Sequence, residues 1–320
     1  MLLLLATAAA LGFTTGGAVQ ADPLKEIRID YATYNPVSLV LKEQGLLEKE
    51  FAKSSVTIRW VQSLGSNKAL EFLNASSIDF GSTAGSASLV ARINGNPIKA
   101  VYVYSSPEWT ALVTRPDSGI KTVADLKGKR VAVTRGTDPH VFLVRALAKA
   151  GLSEKDVKLV LLQHGDGRAA LDRGDVDAWA GLDPIMATAE IEHGDVLFYR
   201  DRAANTPGIL NVREAFAKEQ PDAVRKVLTA YETARVWSLA HPDDLKAILA
   251  TVTKLPPPVI ARQIDQRTDL TQSKIGEAQR QSILAAGLAL KDAGVLPPTT
   301  DVKAALDGLI DASFQAASAK

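Results

Sequence analysis

Short apolar, β-branched segments alternate with amphipathic helical ones through the first two thirds of the chain. Residues 27–31 read as a strand, 36–51 as a helix, 56–61 as a strand, 67–73 as a helix and 78–80 as a strand. The pattern resets near Lys121. It then gives a strand over 130–133, a helix over 139–150, a strand over 157–162, a helix over 167–173, a strand over 178–181, a helix over 184–192 and a strand over 196–199. Strands that alternate with helices predict a parallel sheet covered on both faces, here twice over. Two extended stretches, 98–114 and about 205–212, lie between the units and predict two crossings. Beyond Val212 the pattern is helical only (221–240, 242–253, 257–267, 274–293, 302–317), and those helices need the first sheet to cover.

Ligands in open α/β sheets sit beyond the carboxyl ends of strands, and two helix-opening loops fall there. Gly81-Ser82-Thr83-Ala84-Gly85-Ser86 follows Phe80, and Arg135-Gly136-Thr137-Asp138-Pro139-His140 follows Val133. A helix start aims unpaired N–H groups and the positive end of its dipole outward, which suits an oxyanion. Ser82 and Thr83 read as ligand donors, with helix capping as their ordinary alternative. For Asp138, followed by Pro139, capping is the favoured role. Trp179 fits core packing about as well as a ligand wall. Trp109, with Tyr102 and Tyr104, suits either a pocket wall or packing between lobes.

With 37 Lys and Arg against 36 Asp and Glu, no whole-chain field exists to draw nucleic acid or an anionic membrane. Charge selectivity must be local. The absence of cysteine excludes disulfides, thiolate metal sites and cysteine catalysis. His140, His164, His193 and His241 are scattered without ligand spacing, so neither a metal nor another cofactor is expected. The apolar run from Leu2 to Leu11, then Val19-Gln20-Ala21, reads as a secretory signal over residues 1–21 cleaved after Ala21, although its positive leading region is missing. A periplasmic location follows.

Three segments in order carry a resemblance: Ser77-Ile78-Asp79-Phe80-Gly81-Ser82-Thr83, Ile120-Lys121-Thr122-Val123-Ala124-Asp125-Leu126-Lys127-Gly128-Lys129-Arg130-Val131-Ala132, and Gly174-Asp175-Val176-Asp177-Ala178-Trp179-Ala180. Together they resemble the periplasmic solute-binding proteins of aliphatic-sulfonate, taurine and nitrate ABC importers, the alkanesulfonate binders most of all. The resemblance implies an α/β, type II periplasmic binding protein fold, with two doubly wound lobes joined by two hinge crossings. Lobe one would comprise 22–110 and 209–320, and lobe two 111–208. It further implies a monomer that closes on a small organic oxyanion and delivers it to a membrane permease and its ATPase. By position, Ser82, Thr83 and Ala84 would bind from lobe one, and Gly136, Thr137 and His140 from lobe two. Tyr34, Asn35, Gly65, Ser66, Trp179 and Asp183 would line the site, with Trp109 and Asp138 beside them. The family often carries a hydroxyl residue where this chain has Asp138, and often Trp where it has Leu182. The rival readings are an enzyme of the same fold, related to thiamine-pyrimidine synthesis, and a sensor domain binding another oxyanion such as nitrate.

Overall fold

In the computed structural model, residues 24–314 are described; the expected signal peptide lies outside them. The first sheet is built from β1 (Glu26–Tyr31), β2 (Thr57–Gln62), β3 (Phe80–Ala84), β4 (Ile98–Ser105) and β10 (Gly208–Arg213), in the order β2-β1-β3-β10-β4. The second holds β5 (Leu112–Thr114), β6 (Arg130–Val133), β7 (Lys158–Leu161), β8 (Ala178–Ala180) and β9 (Val196–Tyr199), in the order β7-β6-β8-β5-β9. The chain passes between them twice, through residues 106–111 and 200–207, so the fold consists of two α/β lobes joined by two crossings.

The expectation of purely parallel sheets needs one correction in each lobe. β10 runs antiparallel to β3 and β4, and β5 runs antiparallel to β8 and β9. Both strands arrive straight from the other lobe. A parallel neighbour needs a helix to carry the chain back to the starting edge, and at a crossing no such helix intervenes. Elsewhere the helices return the chain as expected, and β1 pairs parallel with β2 (Ile29 opposite Trp60) and with β3 (Ile29 opposite Phe80).

The helix expected over 36–51 is two: α1 (Pro36–Glu43) and α2 (Leu46–Phe51). Gly45, at φ +59°, makes the left-handed turn between them. α3 (Ser66–Asn74) and α4 (Gly85–Ile93) complete the first half of lobe one; α5 (Asp138–Lys149), α6 (His164–Arg173) and α7 (Ile185–His193) cover the second sheet. The remaining helices are α8 (Glu214–Glu219), α9 (Pro221–Ala240), α10 (Pro242–Thr253), α11 (Pro257–Arg267), α12 (Glu277–Asp292) and α13 (Val302–Leu309). α9 packs on α1, while α12 and α13 pack on α4, which returns the tail to lobe one. α11 also touches α7 and α12 touches α5, so the C-terminal helices reach across to lobe two.

Lobe one has one continuous apolar core, including Ile27, Ile29, Phe80, Tyr104, Leu210 and Tyr231. The second sheet is filled on both faces, by Phe142, Leu143 and Leu147 on one and by Leu171, Trp179 and Met186 on the other. Trp179 has no exposed surface. It packs beside Leu171 and Met186.

Candidate ligand-binding site

The turn proposed as the lobe-one anion loop is largely strand. β3 continues through Ala84, and α4 begins only at Gly85. The start of α4 is already satisfied from within the protein, because Gly85 N–H donates to Pro207 O at 2.8 Å and Ser86 N–H to Thr206 Oγ1 at 3.1 Å. The hydroxyls of Ser82 and Thr83 are committed too. Ser82 Oγ donates to Asp30 and accepts from Asn35 Nδ2, both at 2.8 Å, while Thr83 Oγ1 meets Ser88 Oγ at 2.5 Å and Asn211 Nδ2 at 2.7 Å. Both residues are wholly buried. Their hydroxyls brace the sheet rather than standing open to a cleft.

Asp30, at the end of β1, is the centre of that brace. It accepts from Ser63 Oγ (2.6 Å), Ser82 N–H and Ser82 Oγ (both 2.8 Å). Burial pushes its carboxyl up to about 6 against the pull of those hydrogen bonds. Tyr34 joins from the side, its hydroxyl near Ser63 Oγ and donating to Ser82 O, both at 3.0 Å, with its ring edge-on to Trp109. Asn35 caps α1 by accepting from Ser38 N–H.

Asp138 does not cap its helix. Thr137 occupies the cap position, turning its own hydroxyl to Thr134 O, and Asp138 is the first helical residue. Its carboxylate reaches across the interface instead. Oδ1 accepts from Ser86 Oγ (2.5 Å) and Thr206 Oγ1 (2.7 Å), and Oδ2 accepts from Trp109 Nε1 (2.8 Å) and Thr206 N–H (3.0 Å). One carboxylate thereby joins α5, α4 and both crossings. Pro139 directs this outcome: at the second position of the helix it needs no N–H partner, so the donors that a cap would satisfy are fewer and the side chain is released to the other lobe. Arg135, three residues before Asp138, turns to Glu154 at 3.9 Å.

Asp183 has equally firm partners. Its carboxylate binds Arg267 of α11 at 3.0 Å and accepts from Ala187 N–H at 2.9 Å; Glu190 pairs with Arg267 and Arg262. This ion-pair cluster ties α7 to α11 and carries Asp183 into structure rather than pocket wall.

The lobes also meet at three helix starts. A methyl group placed on Gly65, just before α3, would lie 3.1 Å from His164 Nε2 at the start of α6. One placed on Gly136, just before α5, would lie 3.7 Å from Asn67 Cβ in the first turn of α3. None of the three helices has a side-chain cap. The N-termini of α3, α5 and α6 therefore meet, one from lobe one and two from lobe two. Ser66 orients the α3 end by accepting from Ala84 N–H at 2.9 Å. Gly136, at φ +78°, supplies a left-handed turn that brings the α5 start to the seam.

Gly136 also borders a cavity of about 270 Å³ lined by Ala87, Val90, His140, Val141, Leu290 and Leu296, among others. His140 sits on its wall with Nε2 held by Glu154 at 2.8 Å, which keeps the Glu154 carboxyl below the usual carboxylate range. Gly65, Ser66, Gly136, Thr137 and His140 are thus brought near the seam. Ser82, Thr83, Asn35, Trp179 and Asp183 are built into the supporting structure, Ala84 pairs with Gly208 in the sheet and donates its N–H to Ser66, and Tyr34 and Trp109 back the Asp138 cluster.

Thr206, Asn67 and His164 were not foreseen. His164 carried a usable signal, since Gln163-His164-Gly165 follows a strand and opens a helix just as the two chosen loops do. Thr206 had none, because its role depends on the second crossing running past the start of α4.

A two-lobed α/β molecule with helix starts facing each other across its seam has the periplasmic binding protein fold. The NMT1/THI5-like family model matches residues 50–245, and the chain belongs to that family. It is 32% identical over 269 residues to a putative aliphatic sulfonates-binding protein of Escherichia coli, covering 83% of this chain and 84% of that one. It is 27% identical to the taurine-binding periplasmic protein of the same organism, over 73% of this chain and 72% of the relative. Among solved structures, the alkanesulfonate-binding protein SsuA of Xanthomonas axonopodis pv. citri, bound to MOPS, superposes with a TM-score of 0.82 at 28% identity, covering 92% of this chain and all (100%) of that one.

Proposed function

We propose that this chain is the periplasmic solute-binding component of an ABC importer, capturing a small organic sulfonate as a monomer by closing its lobes and passing it to the permease and ATPase. The observation that carries this reading is the meeting of the α3, α5 and α6 N-termini at Gly65, Asn67, Gly136 and His164. Helix starts from both lobes offer N–H donors and positive dipole ends to one oxyanion head, so the ligand itself draws the lobes together. The cavity beyond Gly136, with Val90, Val141, Leu290 and Leu296 on its walls, suits the organic tail. Relatives named for binding sulfonates and taurine support the choice of head group.

Asp138 shapes the reading. It engages Ser86, Trp109 and Thr206, donors that a hydroxyl residue at this position would leave for a ligand. The anionic head therefore belongs on the α3 and α6 side of the seam. Titration calorimetry with ethanesulfonate, MOPS, nitrate and sulfate tests the proposal. One sulfonate per chain is expected, and at 100 times its Kd it should add about 2.7 kcal/mol to stability. No heat with any sulfonate would overturn it.

A further inference from the structure

His164 has one ring nitrogen accounted for and one that is not. Thr134 Oγ1 gives its single proton to Leu162 O at 2.7 Å, so its 3.2 Å contact with His164 Nδ1 requires the ring to carry its hydrogen at Nδ1. Nε2 is then a bare lone pair. Among the described residues it has no hydrogen-bond partner, and His164 is only 1% exposed. The atom faces lobe one across the seam, at Gly65, where Asn67 Oδ1 is likewise buried without a partner. Burial pushes the imidazole down to about 3, so the ring stays neutral at ordinary pH and cannot supply its own proton to fill the gap.

We propose that His164 Nε2, with Asn67 Oδ1 beside it, is a ligand-reading acceptor pair that selects oxyanions bearing an O–H or N–H donor over those without one. The inference rests on the sulfonate reading above and adds the residues that set selectivity. A buried acceptor stays unpaired unless the ligand brings the donor, so a donor-less ligand seals the seam over two unsatisfied atoms. Gly65 belongs to the device, since any side chain there would fill the space between the two acceptors.

The test compares three two-carbon sulfonates by calorimetry on the full chain: ethanesulfonate, isethionate (2-hydroxyethanesulfonate) and taurine. Wild type should bind isethionate and taurine roughly tenfold more tightly than ethanesulfonate. His164→Leu should collapse that ratio toward one, whatever its effect on the affinity for all three ligands. His164→Gln, whose amide oxygen reaches the Nε2 position, should restore part of it. Should His164→Leu not fold, Asn67→Ala carries the comparison, with a partial collapse expected. Separately, the ¹⁵N spectrum of histidine-labelled, ligand-free chain should show the Nδ1–H tautomer for the resonance missing in His164→Gln. Equal affinity for all three ligands, a ratio unchanged in the variants, an Nε2–H tautomer, or an Nε2 already hydrogen-bonded without ligand would overturn the inference and leave the sulfonate reading standing. Binding of none of the three would overturn the sulfonate reading itself, and the inference with it.

Discussion

Replacing Asp138 probes how the two lobes are held. Its carboxylate accepts four hydrogen bonds from Ser86, Trp109 and Thr206, all between 2.5 and 3.0 Å. In Asp138→Asn the amide can turn its oxygen to the two N–H donors and its NH₂ to the two hydroxyls, so the contacts survive and only the charge assistance is lost. Bonds to a charged group contribute about 1.5–3 kcal/mol, against about 0.5–1.5 for neutral pairs, so a loss of about 2–4 kcal/mol is expected after allowing for non-additivity. Asp138→Ala strands all four donors in a dry interface at about 1–3 kcal/mol each. Opening the lobes to let water in then costs less than staying shut. The expected signature of Asp138→Ala is therefore a larger radius of gyration by small-angle scattering and red-shifted Trp109 emission, together with a lower urea midpoint than Asp138→Asn. If Asp138→Ala keeps the wild-type radius and a stability within about 0.5 kcal/mol, the range of an ordinary surface change, the reasoning fails.

Three further outcomes follow from the same geometry. Gly65→Val, at an extended backbone position, should leave the fold intact but obstruct closure against His164 and Asn67 by about 1–3 kcal/mol, read as a weaker Kd for sulfonate without a fallen melting point. His164 is held neutral with its pKa down to about 3 from an unfolded value of 6.5, so the unfolded chain takes the proton first as acid is added. Stability attributable to His164 is then full above pH 6.5 and drains as pH falls toward 3, by about 2 kcal/mol at pH 5. Urea curves of wild type and His164→Gln should diverge over that window and run parallel above it. Asp30, raised to about 6, works in the opposite sense, losing stability as pH rises from about 4 to 6, but it cancels in the comparison. Asp79, almost wholly buried, receives Arg28 at 2.6 Å and Arg213 at 2.5 Å; Asp79→Ala should cost about 3–5 kcal/mol in chemical denaturation, because it leaves two guanidinium groups facing a site without its charge.

The lobes, the crossings and nearly every helix were legible because they rest on local periodicity and turn residues. The strand directions of β5 and β10 were not, since direction depends on which lobe the chain has just left. The site was read less well for a related reason. Ser82 and Thr83 have the residue types of an anion loop, but type does not show that Asp30 and Asn211 stand behind them, contributed by strands far away in the sequence. Asp138 followed by Pro139 looks like a cap until the second crossing places Thr206 within 3.0 Å. Gly65 was reached through the family resemblance and Gly136 through its helix-opening loop as well, and both lie at the seam. The place of His164 at a helix start was legible, but its free nitrogen was not, because that is a product of the hydroxyl geometry at Thr134.

A crystal structure of the chain grown with MOPS tests the central claim most directly. The account predicts closed lobes, sulfonate oxygens within hydrogen-bond distance of main-chain N–H groups at the starts of α3 and α6, and the organic portion lying toward Val90, Val141 and Leu290. A sulfonate seated instead on the hydroxyls of Ser82 and Thr83, with Asp30 and Asn211 displaced from them, would contradict it.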